Sequence, residues 1–153
     1  MALVFGSKEW IAAYEKAVQG NAEWSKAAAT WEGDLTIVVK EKPEIDLSQP
    51  IYIHMDLWHG VCRSIIWASK EEGEKAKFVI TGEYERWKQV AKKELEPVKG
   101  MMQGKLKLRG DLPTIVRALK AAQQLINSLS TIDTVFPDEI SSEERKKAFP
   151  EFA

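Results

Sequence analysis

Residues 104–113 constrain the fold more than any other part of the chain. Basic residues and leucines alternate there in the order Lys105, Leu106, Lys107, Leu108, Arg109. This period-two pattern predicts a strand whose basic side chains face solvent and whose leucines face an interior. Asp111 follows where the N-cap of a helix belongs, and Pro113 falls in the first turn, where a missing N–H costs little. The segment predicts a sheet with one buried face, joined directly to a helix.

The apolar residues after Asp111 recur with helical spacing. They are Leu112, Ile115, Val116, Leu119, Ala122 and Ile126. Intervals of three and four residues place such side chains on one face of a helix. We expect a single long helix whose apolar face packs against the leucines of the preceding strand.

The composition limits the chain to one domain and excludes several classes of protein. Its 153 residues, 44% of them apolar, suffice for one core. With 22 basic and 23 acidic side chains the net charge is near zero, which disfavours a nucleic-acid-binding protein. Cys62 is the only cysteine, so a disulfide framework is excluded and a cytoplasmic location is predicted. No apolar run reaches the roughly 18 residues of a membrane span.

The order of the remaining patterns predicts the fold class. Helices are predicted after Ser7 and after Asn21, while residues 69–75 and 97–103 read as connectors. The strand patterns are residues 35–39, the two arms of a hairpin that turns at His59 and Gly60, and a strand that contains Phe78 and Ile80. Together with residues 105–109 they predict an α+β domain, with five strands, helices on one face and solvent on the other.

The last twenty residues are less regular. Ser141 and Glu144 have the spacing of a capping box, which predicts a short helix. Phe136, Phe149 and Phe152 lie around this helix and predict a tail that docks on the body of the protein. Disorder of the tail, or its contact with another subunit, is the alternative.

Several features between residues 81 and 126 occur together in one known family. They are a strand that ends in Thr81 and Gly82 before a helix with Trp87, then Pro97, then the run 104–111 that leads into the long helix. In this order they resemble the sterol carrier protein type 2 domain, a sterol- and lipid-binding module. The earlier strands are similar in order and spacing, so the likeness covers about residues 5–130.

The resemblance implies both a fold and a function. The family fold is a five-stranded, mixed and mostly antiparallel sheet with helices on one face, and an apolar tunnel between them holds a fatty acid, acyl-CoA, sterol or isoprenoid ligand. Residues 1–132 would form this domain, and residues 133–153 would be the tail. The implied function is non-enzymatic binding and transfer of lipids, with no catalytic residue, no cofactor, no metal and at most transient membrane contact.

Ten residues are candidates for contact with such a lipid, because their apolar faces are expected to converge. They are Ile53, Met55, Met101, Met102, Leu106, Leu108, Leu112, Ile115, Val116 and Leu119. The methionines are the strongest candidates, since flexible thioethers adapt to variable apolar ligands. Ordinary packing in a closed core is the alternative for each of the ten.

Other functions have weaker support in the sequence. His54, Asp56, His59 and Cys62 lie close together in the chain, but a turn separates them, so a metal site or a Cys62–His59 hydrolase is disfavoured. The basic row of residues 105–109 reads as a solvated sheet edge, with an anionic headgroup or membrane as the alternative. The aromatic tail and Trp58 leave open an accessory or scaffold subunit that presents a lipid-linked substrate to a partner enzyme.

Overall fold

A computed structural model describes residues 2–152 and contains a five-stranded sheet and a separate two-stranded one in that range. The strands are β1 (Leu3–Val4), β2 (Leu35–Val39), β3 (Ile51–Trp58), β4 (Val61–Ala68), β5 (Phe78–Gly82), β6 (Lys107–Arg109) and β7 (Thr134–Val135). The larger sheet has the order β4-β3-β2-β5-β6. Only the β2–β5 pair within it is parallel, so the predicted α+β fold with a mixed, mostly antiparallel sheet is confirmed.

The helices begin where local chemistry favours a helix start. They are α1 (Lys8–Gln19), α2 (Ala22–Ala27), α3 (Lys70–Glu74), α4 (Tyr84–Ala91), α5 (Pro97–Met102), α6 (Leu112–Arg117), α7 (Leu119–Leu129) and α8 (Ser142–Ala148). The predicted caps of α1 and α6 are confirmed, because the side chains of Ser7 and Asp111 each accept a hydrogen bond from the amide three residues on. The helix predicted after Asn21 is also present, and the Asn21 side chain caps it in the same way. The capping box that starts α8 is also confirmed.

The predicted hairpin is present and is fixed to a helix. His59 and Gly60 both have positive φ angles, of 46° and 76°, as a tight two-residue hairpin turn requires. A Cβ atom on Gly60 would lie 2.3 Å from the Ser25 carbonyl oxygen, so only glycine fits there. The Ser25 hydroxyl donates a hydrogen bond to the Gly60 carbonyl oxygen at 2.8 Å. The turn therefore holds α2 against the end of the sheet.

Three local predictions were wrong. The expected long helix after Asp111 is two helices, α6 and α7, which meet at Ala118 (φ −98°, ψ 24°). The β-branched run of residues 114–116 is a weak helix former, which favours a break at this place. The connector 97–103 contains α5, whose N-terminal amides are capped by the Glu96 carboxylate, and the charged turn 69–75 contains α3, started by a capping box.

The sheet face expected to be solvated is partly covered. Thr36 and Val38 are buried there, and Val38 belongs to a small second cluster with Tyr52, Ala68, Ala76 and Val79. Helix α3 approaches this face so closely that a Cβ atom on Gly73 would lie 2.9 Å from the Tyr52 ring. The alternation of polar and apolar residues in the strands does not predict this contact, because α3 is charged and packs on the sheet through Gly73.

The C-terminal tail packs against the body of the protein. Strand β7 pairs in parallel with β1, and the Phe136 ring lies 5.4 Å from the Phe5 ring. Phe149 is only 1% exposed and stacks on Phe152 at 5.7 Å. Asp46 fixes α8 from outside, since its carboxylate accepts hydrogen bonds from the Ser142 hydroxyl (2.7 Å) and from Arg145 Nε (2.9 Å).

These contacts predict an acid-sensitive tail. The hydrogen bonds from Ser142 and Arg145 lower the pKa of Asp46 below its usual value. A carboxylate with a depressed pKa in the folded state stabilises that state above its unfolded pKa of about 4 and loses the contribution as the pH falls through the folded value. We expect the protection factors of the α8 amides, which correct the exchange rates for their intrinsic pH dependence, to fall on acidification below about pH 4. Asp46→Asn is the control, because asparagine tolerates the positive φ of Asp46 (63°) but has no charge to titrate. Identical acid profiles for the two proteins would contradict this role of Asp46.

Candidate functional site

An apolar pocket lies between the buried face of the sheet and the helices. The centres of water-sized groups can occupy about 130 Å³ of it. The sheet contributes Leu35, Ile37, Ile53, Met55, Leu57 and Ile80 to its wall. The other side is formed mainly by residues of α1, α2, α4, α6 and α7 and of the segments beside them. The pocket thus lies between the sheet and the helices, where the resemblance to the sterol carrier protein type 2 domain implies an apolar tunnel.

Aromatic side chains form much of the wall, and the polar atoms of four of them have partners within the protein. The hydrogen bonds are Trp10 Nε1 to Thr134 Oγ1 (3.0 Å), Trp87 Nε1 to the Val38 carbonyl (2.9 Å), Trp31 Nε1 to the Gly33 carbonyl (2.7 Å) and the Tyr14 hydroxyl to the Leu125 carbonyl (3.0 Å). Burial raises the pKa of Tyr14 well above its usual value, so its hydroxyl keeps its proton. With these donors satisfied, the rings present hydrocarbon surface to the pocket.

Helix α7 faces the aromatic wall with small side chains. Ala121 and Ala122 line the pocket together with Ala118, which precedes the helix, and Leu125, Ile126 and Leu129 continue the same face. Alanines opposite tryptophans leave space that larger aliphatic side chains would fill. The open volume therefore arises from this pairing of small residues on α7 with rings from α1, α2 and α4.

The structure brings four of the ten predicted contact residues to the pocket and places six elsewhere. Those that line it are Ile53, Met55, Met101 and Ile115. Leu106, Leu108 and Leu112 lie outside the lining, and Leu106 is buried against Gly82 and Gly100. Met102, Val116 and Leu119 are exposed. One residue on a helix corresponds to a rotation of about 100°, so a residue beside a pocket-lining one points elsewhere.

Sequence reasoning missed the most prominent part of the wall. Four tryptophans, Trp10, Trp24, Trp31 and Trp87, line the pocket together with the alanines at and near the start of α7, and none of these residues is among the ten predicted contacts. The sequence does contain a signal for this wall. Ala118, Ala121 and Ala122 interrupt an otherwise bulky apolar face, which indicates reduced side-chain volume at that level of the helix.

The titratable residues near the hairpin lie outside the pocket lining and have separate roles. His54 Nε2 lies 2.7 Å from Asp34, and His59 Nε2 lies 2.6 Å from Glu32. Burial raises the pKa of Asp34, while hydrogen bonds from His54 and from the Lys77 amide lower it by more, so the net shift is downward. Within residues 2–152, no three His, Cys, Asp or Glu side chains approach closely enough to hold a metal ion.

Cys62 is buried in a setting that suppresses thiolate chemistry. Burial, with a smaller contribution from the charges of Glu15 and Asp56, raises the pKa of the Cys62 thiol to about 11. We expect it to react with iodoacetamide at pH 8 at least about tenfold more slowly than a free cysteine, because the thiolate is the reactive form. The reaction can be followed by mass spectrometry, with denatured protein as the control. Native Cys62 that reacts as fast as the denatured thiol would contradict this expectation.

Comparisons with known proteins agree with this geometry. The sequence matches the SCP-2 sterol transfer family over residues 15–123. A crystal structure of sterol carrier protein 2 is 29% identical, with a TM-score of 0.74 over 84% of this chain and 98% of that one. A solution structure of a conserved hypothetical protein from Thermus thermophilus is 31% identical, with a TM-score of 0.75 over 84% and 90% of the two chains.

A more distant structure shares the fold alone. Sterol carrier protein 2 of Yarrowia lipolytica, in its apo form, is 14% identical with a TM-score of 0.55, over 77% of this chain and 87% of that one. No curated protein sequence matches the chain. None of the helices between residues 2 and 152 combines the length and the apolar character that a bilayer span requires.

Proposed function

This chain belongs to the SCP-2 sterol transfer family, and from that membership we propose that it is a non-enzymatic lipid carrier that binds a lipid in the apolar pocket and transfers or presents it. The observation that carries the proposal is the wall of this pocket. Among the residues that the structure describes, its lining contains no Asp, Glu, Lys, Arg or His, and Tyr14 contributes its only hydroxyl group. A wall of this kind suits a hydrocarbon and offers no acid, base or nucleophile for a reaction.

Apolar burial alone gives such a pocket useful affinity. Each buried methylene contributes about 0.8 kcal/mol, so a chain of about sixteen carbons has a gross driving force on the order of 10 kcal/mol. Lost translational freedom and ordering oppose this by several kcal/mol. The balance supports dissociation constants on the order of micromolar or better without a fixed polar contact.

The charge distribution limits the ligand class. Since no charged side chain of the described residues lines the pocket, we propose that the hydrocarbon part of the ligand is enclosed and that its polar group stays at the opening. A fatty acid, an acyl-CoA, a sterol-like and an isoprenoid lipid all fit this description. We propose Ile53, Met55, Met101 and Ile115 as contacts, with the tryptophans and alanines of the wall.

Displacement of a fluorescent fatty acid tests the function. We expect the probe to bind the protein in solution and to be displaced by palmitate, palmitoyl-CoA, cholesterol or a long isoprenoid alcohol, whose order of potency identifies the preferred class. Hexanoate is the matched control, because it has the carboxylate of palmitate but little hydrocarbon to bury. Failure of the protein to bind the probe would contradict the proposed function. Displacement of the probe by hexanoate as readily as by palmitate would contradict it as well.

We also propose a structural role for the tail, residues 133–153. Thr134 accepts the hydrogen bond of the Trp10 indole, and Phe136 packs against Phe5. Trp10 and Phe5 both line the pocket, so the tail supports that wall from behind.

A further inference from the structure

We infer that residues 99–120, here called the docking segment, form a surface that binds the headgroup region of an anionic lipid membrane. This inference goes beyond the proposed lipid binding, because a pocket can fill from solution without any membrane contact. It depends on exposed apolar side chains, on unpaired basic charge and on the position of the segment beside the pocket.

The docking segment exposes large apolar side chains. Met102 is 67% exposed, Val116 42% and Leu119 37%. Large hydrophobic side chains with this much exposure are few within residues 2–152, and the others lie on the β3–β4 hairpin. A single exposed apolar group is common on protein surfaces, but several in one segment indicate an interaction surface.

These exposed residues are neighbours of the pocket wall. Each directly follows a pocket-lining residue, in the pairs Met101 and Met102, Ile115 and Val116, and Ala118 and Leu119. The docking segment therefore carries apolar side chains on its inner side, toward the pocket, and others on its outer side. A lipid that leaves a membrane bound to this outer side would have a short path to the pocket.

The same segment concentrates positive charge. It contains six basic residues, Lys99, Lys105, Lys107, Arg109, Arg117 and Lys120, and one acidic residue, Asp111. The rest of the chain has 16 basic and 22 acidic side chains, so it is net negative. The only acid of the segment caps α6, where its side chain accepts a hydrogen bond from the Thr114 amide.

The basic side chains of the docking segment lack carboxylate partners among the described residues, and Arg109 donates hydrogen bonds to the Glu74 and Ala76 backbone carbonyls, which carry no charge to neutralise it. None of the six forms an ion pair with a carboxylate of residues 2–152, whereas other lysines do, as Lys88 does with Asp138 at 2.9 Å. Unpaired lysine and arginine near a surface are attracted to anionic lipid headgroups. Their long stems let apolar neighbours enter the interface while the charges stay in the headgroup layer.

A membrane fits both properties better than other anionic partners do. The phosphates of a nucleic acid or of a free coenzyme A would satisfy the lysines but would leave Met102, Val116 and Leu119 in water. An anionic bilayer surface accepts the charges and the apolar side chains together.

The hairpin provides a matched control surface. Val61 and Ile66 are 56% and 44% exposed, as apolar as the docking segment. The nearby Arg63, however, is paired with Asp56 at 2.8 Å, so the hairpin has exposed apolar groups without unpaired positive charge.

Flotation with lipid vesicles tests the inference. We expect the protein to bind vesicles of phosphatidylcholine mixed with phosphatidylglycerol, to bind phosphatidylcholine alone much less, and to be released by salt. The double variants Met102→Asp with Leu119→Asp and Lys105→Glu with Lys107→Glu should each weaken binding at least about tenfold. The control Val61→Asp with Ile66→Asp should bind as the unaltered protein does.

A second measurement, the binding of a fluorescent fatty acid in solution without vesicles, is made for every variant. It shows that each variant is folded, and it separates this inference from the proposed function. Fatty-acid binding without binding to anionic vesicles would overturn the docking surface and leave the lipid carrier intact. Equal binding to neutral and anionic vesicles, or an equal loss in the hairpin control, would also overturn it. Absence of fatty-acid binding in the unaltered protein would instead refute the proposed function.

Discussion

Ala122→Phe is expected to lower the affinity for a long-chain fatty acid by roughly 100-fold, while the protein remains folded. Ala122 lies within α7 and lines the pocket opposite the aromatic wall. A phenyl group there takes up space equivalent to about four methylene groups of a ligand, at about 0.8 kcal/mol each. That is about 3 kcal/mol, or roughly two factors of ten in the dissociation constant. Displacement of the fluorescent fatty acid measures the effect.

The control for this variant is Ala12→Phe. Ala12 is an exposed residue within α1, so the same chemical change there leaves the pocket untouched. The thermal midpoint of Ala122→Phe should change little, because the new ring fills space and the loss of helix propensity is only about 0.5 kcal/mol. Unchanged lipid affinity in a folded Ala122→Phe protein would show that the ligand does not occupy this pocket.

Phe149→Ala is expected to destabilise the whole protein by about 3–5 kcal/mol, the usual loss for a buried phenylalanine. Phe149 lies in the tail but is fully packed, with the rings of Trp67 and Phe152 at 6.3 and 5.7 Å and with Gly6 beneath it. For a chain of this length the midpoint of thermal unfolding should fall by roughly 10 °C. Calorimetry or circular dichroism measures this shift.

Phe152→Ala is the matched control in the tail. Phe152 is only half-buried, so the loss should be clearly smaller than for Phe149→Ala. If Phe149→Ala left the midpoint unchanged, the tail would be a separate appendage, as the alternative from the sequence allows. A large shift would instead make residues 133–153 part of the cooperative unit.

The sequence predicted those elements that local chemistry determines. The caps at Ser7 and Asp111 depend on one side chain and an amide three residues away, and the His59 and Gly60 turn depends on backbone conformations that few residues adopt. Alternation in the strands predicted the face that lines the pocket, with Ile37, Ile53 and Ile80, but not the cover that α3 gives the other face. These signals depend on residues that are close together in the chain, so they can be recognised in the sequence before the fold is known.

The boundary between a packed core and a pocket was not predictable in the same way. Trp24 and Val18 lie on apolar helix faces and are equally buried, yet only Trp24 lines the pocket. Whether a buried side chain lines the pocket depends on the size of the side chains that face it. Trp24 faces the alanines of α7, and this pairing is set by tertiary structure. Packing density, not hydrophobicity, distinguishes a cavity from a core.

Helix rotation explains why some of the predicted contact residues lie outside the pocket lining. Ile115 faces the pocket, whereas Val116 and Leu119 face outward, and the break at Ala118 reorients the chain between them. A single uninterrupted helix from Leu112 would have placed Ile115 and Leu119 on the same face. The break at Ala118, which the weak helix formers at residues 114–116 favour, therefore affects which side chains reach the pocket.

Quenching of tryptophan fluorescence by a brominated fatty acid tests most directly whether the lipid occupies this pocket. Trp10, Trp24, Trp31 and Trp87 line it, so a bound bromine atom lies close to several indoles at once. We predict strong quenching that saturates at one fatty acid per chain and is reversed by unlabelled palmitate. Binding of the fatty acid without quenching, or quenching that never saturates, would contradict a lipid site between the sheet and its helices.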